Sequence, residues 1–338
     1  MAQTLSISTP ILHIGERCRF GNLDWFPVWS QGVPTGREYR TNNRARLEVE
    51  ECGNPDVTIL QARNLREEPL ALFEGTLFSS GYQHRALTRT VVLKPHQSKE
   101  IPVVCVEKGR WDVNSLDDSY VEDYDYDYDY DEDSDYDHDA VAESAEPTVS
   151  NHIAPLRIRH AMRGIRKLDG PFAEMFEADE PEQDRVWQEI DRYEGVTKLG
   201  TTTNSLVDLE AVYSQTFGLE RSRAIPGQTG VIIAQGGYPV WLEVFDHPDT
   251  LAERLSMILK SACLDSHDLP YSETPGRRAR RFAHIVTSVG CGSDKDGSGK
   301  RKKRSRSEPN PYVMTEATTF RDTTIHLTSL NTQHALFN

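Results

Sequence analysis

The chain has no run of 18 consecutive apolar residues, so no segment of it reads as a membrane-spanning helix. No basic-then-apolar leader opens it, and the expectation is a soluble, cytoplasmic protein. Cysteine is scarce: Cys18, Cys52, Cys105, Cys263 and Cys291 are odd in number and never spaced as CxxC. That pattern suits a reducing compartment, with Cys105 in an apolar strand and Cys263 in a helix as small buried groups. The common catalytic signatures are missing too. There is no HExxH, no GxSxG, no zinc-like Cys/His spacing and no dinucleotide fingerprint. The segment 292–300 imitates a phosphate loop but has Asp294 at the first glycine position and Arg301 where a metal-binding hydroxyl belongs. Neither a metal nor a cofactor is expected.

Lysine and arginine are absent from residues 117–139, which hold 13 Asp or Glu among alternating tyrosines. Removing those charges from the formal −15 leaves −2, so the remainder is nearly neutral. Global charge therefore argues neither for nucleic acid nor for a membrane surface. The acidic stretch repels itself and is expected to be disordered; it lacks the glycine-centred spacing of an EF-hand loop. A run of six basic residues, 300–306, has no aromatic residues interleaved for base stacking. It reads as a solvated linker, with docking onto the chain's own acidic stretch as the alternative.

What is present is mostly strand. Candidate strands run Leu23 to Trp29, Leu47 to Cys52, Val57 to Ala62, Leu70 to Phe73, Ala86 to Leu93 and Ile101 to Val106, with turn chemistry between several of them. Ile101 to Val106 is apolar on both alternating faces, which predicts a strand covered on both sides. The second half mixes helices near 154–166, 182–194 and 206–217 with strands Gly230 to Ala234 and Pro239 to Phe245, joined by a Gly-Gly hairpin turn. Asp246-His247-Pro248-Asp249 then supplies a cap and an early proline for a helix striped by Leu251, Leu255, Ile258, Leu259 and Ala262. Strands Tyr312 to Thr318 and Thr323 to Leu327 close the chain.

The fold expected is α+β: an antiparallel sandwich or barrel-like sheet with helices of the C-terminal half packed on it. One composite domain divides into a β-rich region 10–113, the acidic insert 114–151, a helix-rich region 152–290, a basic linker 291–310 and returning strands 311–330.

Polar residues punctuate the strand ends of the β-rich region: Glu74, Gln83, His84, Arg85, Glu107 and Arg110, with Trp111 beside the last. Tight loops would bring these positions to one rim. Arginine takes phosphate oxygens bidentately, and carboxylates or an amide hold hydroxyls, so the set suits a phosphate or a ribose. An internal Arg–Glu network and a partner surface are the alternatives. His84 as a general base and Asp246 as a catalytic acid are weaker readings than a hydrogen-bonded histidine and a helix cap.

Several segments resemble one family, the ARG and rhodanese-phosphatase-superfamily-associated protein domain, where ARG stands for ADP-ribosylglycohydrolase. They are NLDWFPV (22–28), LFEG (72–75) with GYQHR (81–85), IPVVCVEKGRW (101–111), APLRIRHAMRG (154–164), VWQEI (186–190) and the stretch 227–248. His84 departs from the amide expected in that triplet, and Phe73-Glu74-Gly75 departs from a run in which glycine precedes the acid. The resemblance implies a place near ADP-ribose, nucleotide or phosphate chemistry, without a mechanism. The leading expectation is a ligand-binding or accessory protein for a phosphorylated nucleotide or ADP-ribose-like ligand, with pathway enzymes as partners and no nucleic acid or membrane. Arg85, Arg110, Gln83, Glu74, Glu107 and Trp111 would form the site. A hydrolase with Glu74 or Glu107 as acid–base group is the second expectation. A protein-interaction module working through the acidic and basic segments is the third.

Overall fold

The computed structural model describes residues 10–41, 46–52, 58–81, 83–108, 147–165, 180–216, 222–288, 292–294 and 312–337. The acidic residues 117–139, the basic run 300–306, and Arg110 with Trp111 lie outside the described residues. The strands run β1 (Leu12–Ile14), β2 (Cys18–Phe20), β3 (Leu23–Ser30), β4 (Leu47–Glu51), β5 (Ile59–Asn64), β6 (Leu70–Leu72), β7 (Thr76–Ser79), β8 (Arg85–Leu87), β9 (Val91–Leu93) and β10 (Ser98–Cys105). Then come β11 (Thr148–Ile153), α1 (Leu156–Ile165), α2 (Glu180–Thr197), α3 (Leu206–Thr216), β12 (Gly230–Gln235), β13 (Tyr238–Phe245), α4 (Pro248–Asp265) and α5 (Gly276–Ser288). β14 (Gly292–Asp294), β15 (Val313–Phe320) and β16 (Thr323–Asn331) follow. The class is α+β, as the sequence predicts. Among the described residues no helix is long and apolar enough to cross a membrane.

One sheet has the order β1-β3-β12-β13-β16-β15-β14, with β2 also on β3. β3 pairs with β12, Trp25 opposite Ile233, so the two halves of the chain share this sheet. A second sheet has the order β11-β7-β8-β10-β5-β4, and the small β6–β9 pair packs on it in an apolar cluster that joins Leu70 and Val91 to Leu60 and Phe78. Strand alternation explains the layers. Val231 and Ile233 join the large core between the sheets, while Ile232 and Ala234 face α5 through Phe282 and Val286. Both faces of β12 are therefore dry, and fully burying a side chain such as Ile232 contributes about 1.5–3 kcal/mol. β10 behaves as expected: Val104 faces the large core and Val103 the cluster shared with β6 and β9.

The hairpin between β12 and β13 turns at Gly236 and Gly237, whose φ angles of 55° and 85° lie in the left-handed region that both central residues of a two-residue turn need. Three differences from the sequence reading bear on the site. The strand expected over Ala86 to Leu93 is broken, because Thr88 to Thr90 leave the ladder and Thr90 makes side-chain bonds instead. The cap of α4 is His247, whose Nδ1 accepts from the Asp249 N–H, whereas Asp246 accepts from the Tyr39 hydroxyl at 2.5 Å. β11 starts at Thr148, within the range assigned to the acidic insert, and pairs with β7.

Candidate functional site

Four of the expected rim residues are brought together. Gly81, at φ 77°, turns the chain into β8; a Cβ there would meet Pro147 at 2.7 Å, so only glycine fits. The turn delivers Gln83, His84 and Arg85 beside the end of β10. Arg85 Nη1 donates to Gln83 Oε1 at 2.8 Å, and Nη2 lies 3.9 Å from Glu51. Glu107 Oε2 accepts the His84 N–H at 2.9 Å, and Glu107 Oε1 accepts the Thr203 hydroxyl at 2.6 Å. All four residues are buried. Two donors in this group find no partner among the described residues: Arg85 Nε and Gln83 Nε2.

His84 Nδ1 lies 2.6 Å from Ser205 Oγ and 3.8 Å from Glu107 Oε2. A serine, a histidine and a carboxylate are thus adjacent, but they do not form a proton relay. A relay uses the two ring nitrogens separately, whereas here both neighbours face Nδ1. Ser205 Oγ, fully buried, also accepts from the Asp208 N–H at 3.3 Å and so caps α3. The serine is a structural cap.

Glu74 belongs to another set of bonds. Arg163 grips it in a fork, Nε to Oε1 at 3.0 Å and Nη2 to Oε2 at 3.1 Å, and Arg159 Nε reaches Oε1 at 3.2 Å. Both arginines lie on α1, four residues apart and so on one helix face. Gly75, at φ 80°, lets Arg159 approach; a Cβ there would stand 3.3 Å from its Cδ. Arg159 Nη2 then bonds Glu243 Oε2 at 3.3 Å, which also accepts from Trp241 Nε1 at 2.7 Å. His326 Nε2 meets Glu243 Oε1 at 3.0 Å, and its Nδ1 meets Thr90 Oγ1 at 2.7 Å. Burial opposes the charge on Glu243, but Arg159, His326 and Arg254 outweigh it and hold the carboxyl at about 2. Burial likewise opposes the charge on Arg163, yet Glu74 and Glu316 keep that guanidinium above its ordinary value.

The model of the ARG and Rhodanese-Phosphatase-superfamily-associated Protein domain family matches the chain over residues 11–330. The chain belongs to that family. No curated protein and no solved structure matches it. Inside the span matched by the family model the structure thus separates two polar groups: the strand-end set around Gln83, Arg85 and Glu107, and the ion network around Glu74.

The second group was hidden from the strand-end reading. Its members are charges stranded in apolar periodicity: Glu243 within β13, Arg254 within the stripe of α4, and Arg159 with Arg163 on α1. Each interrupts a buried face, and a buried charge needs a partner. That interruption is the signal that points to them in this family member.

Proposed function

We propose that this family member is a ligand-binding or accessory protein for ADP-ribose-like or phosphorylated nucleotide ligands, working in the cytoplasm beside pathway enzymes. The family's name associates it with ARG and rhodanese-phosphatase proteins. The observation that carries the reading is the pair of buried donors without partners, Arg85 Nε and Gln83 Nε2. Buried N–H groups left unbonded cost about 1–3 kcal/mol each, which a ligand oxygen would recover. In this reading Arg85 takes a phosphate oxygen and Gln83 a hydroxyl or phosphate oxygen. Glu107 fixes the His84 backbone, and Arg110 with Trp111 follow three and four residues later in the chain.

No specific observation favours the hydrolase reading. Every carboxylate oxygen of Glu74 and Glu107 already accepts a hydrogen bond, so neither is poised as an acid–base group. A thermal-shift screen against ADP-ribose, NAD and nucleoside phosphates tests the proposal. Wild type should be stabilised by at least one of them, and the shift should vanish in Arg85→Gln. No shift with any member of the panel, or equal shifts in the variant, would refute it.

A further inference from the structure

Arg254 is the least accommodated charge among the described residues. It lies on α4 between Leu251 and Leu255, on the face that packs into the large core, and is 2 % exposed. Its guanidinium carbon stands 4.8 Å from the centre of the Phe73 ring and 6.0 Å from that of Phe245. Aromatic rings satisfy the face of a guanidinium but not its edge, where the N–H groups point. Two nitrogens on that edge, Nε and Nη2, have no hydrogen-bond partner, and neither has Nη1 of the fully buried Arg159 nearby. The carboxylates at hand are committed: Glu243 to Arg159, Trp241 and His326, and Glu74 to Arg159 and Arg163. Three buried arginines thus face two buried carboxylates. Glu316, the third acid, is one-third exposed and stands 3.6 Å from Arg163.

We infer that Arg254 and Arg159 form a buried site for a small tetrahedral oxyanion of the phosphate or sulfate class. Such an ion offers several acceptor oxygens to the orphaned N–H edges. Buried N–H groups left unbonded are costly, and a bound oxyanion removes that penalty. The site shares no member with the Arg85–Gln83 group, so it stands independently of the nucleotide proposal.

The test loads the purified protein with inorganic phosphate, desalts it, and measures phosphate released on denaturation. Unfolding by urea is followed in parallel in phosphate, sulfate and chloride at equal ionic strength. About one phosphate per chain should be carried. At a hundredfold excess over its dissociation constant, phosphate should raise the folded-to-unfolded ratio about a hundredfold over chloride. Arg254→Met should lose both effects while Arg85→Gln keeps them. Should Arg254→Met fail to fold, Arg254→Lys, with its single point charge, should hold phosphate at least tenfold more weakly. Phosphate retained undiminished by the Arg254 variants, no phosphate response in wild type, or stabilisation by chloride equal to that by phosphate would overturn the inference.

Discussion

A carboxylate held by two arginines away from water cannot be neutralised without taking a counter-charge from both cations. Glu74 is in that position, 1 % exposed and bonded to Arg159 and Arg163. Glu74→Gln is expected to cost about 3–5 kcal/mol in urea unfolding, because it leaves buried charge uncompensated. A loss below ~1 kcal/mol would show that the network carries little stability. Glu74 was visible in the sequence as a strand-end acid before glycine, but its partners were not. Arg159 and Arg163 read as ordinary polar positions of a short helix until the sheet that covers them is in place. Periodicity gives the face on which residues lie, not what that face meets.

At the scale of elements, the chain signals its turns and caps plainly. The Gly-Gly hairpin and the early proline of α4 follow from local chemistry, and so does the cap of α3, a serine at position 205. Ser205→Ala should cost roughly 1–2 kcal/mol, since it frees an N–H at the start of α3 and removes one partner of His84. Chemical denaturation measures this, and an unchanged midpoint would disprove the capping role. Other local readings yielded to longer-range demands. Asp246 gave way to His247 as cap because Tyr39, distant in sequence, claims its carboxylate. Thr90 interrupts an apparently continuous strand because its hydroxyl bridges the Glu74 N–H and His326.

For the whole molecule, the buried acids set the pH response. Asp265, at the end of α4, accepts the Leu156 N–H at 2.6 Å, the Arg157 N–H at 3.3 Å and the Tyr193 hydroxyl at 2.5 Å, and so ties α1, α2 and α4 together. Burial pushes its carboxyl from 3.8 up to about 7, against the opposing pull of those donors and Arg157. A folded-state value above the unfolded one means the native state binds the proton more tightly. Its contribution is therefore complete below about pH 4 and is lost as pH rises to about 7. Glu243 has the opposite sign: held at about 2 against 4.5, it contributes above 4.5 and loses that contribution as pH falls toward 2. The stability of wild type relative to Asp265→Asn should accordingly decline between pH 4 and 7, measured by urea midpoints. A difference that grows with pH would contradict this assignment.

The α+β class, the hairpin and the dry strand 101–106 were decided by the sequence alone, since alternation, turn residues and caps act over a few positions. Tertiary structure alone decided that β3 joins β12, that Glu74 faces α1 and not Arg85, and that Arg254 ends among aromatic rings with its edge unbonded. These outcomes depend on which surfaces meet across long stretches of chain. The strength and partner of a buried charge are fixed only by that meeting.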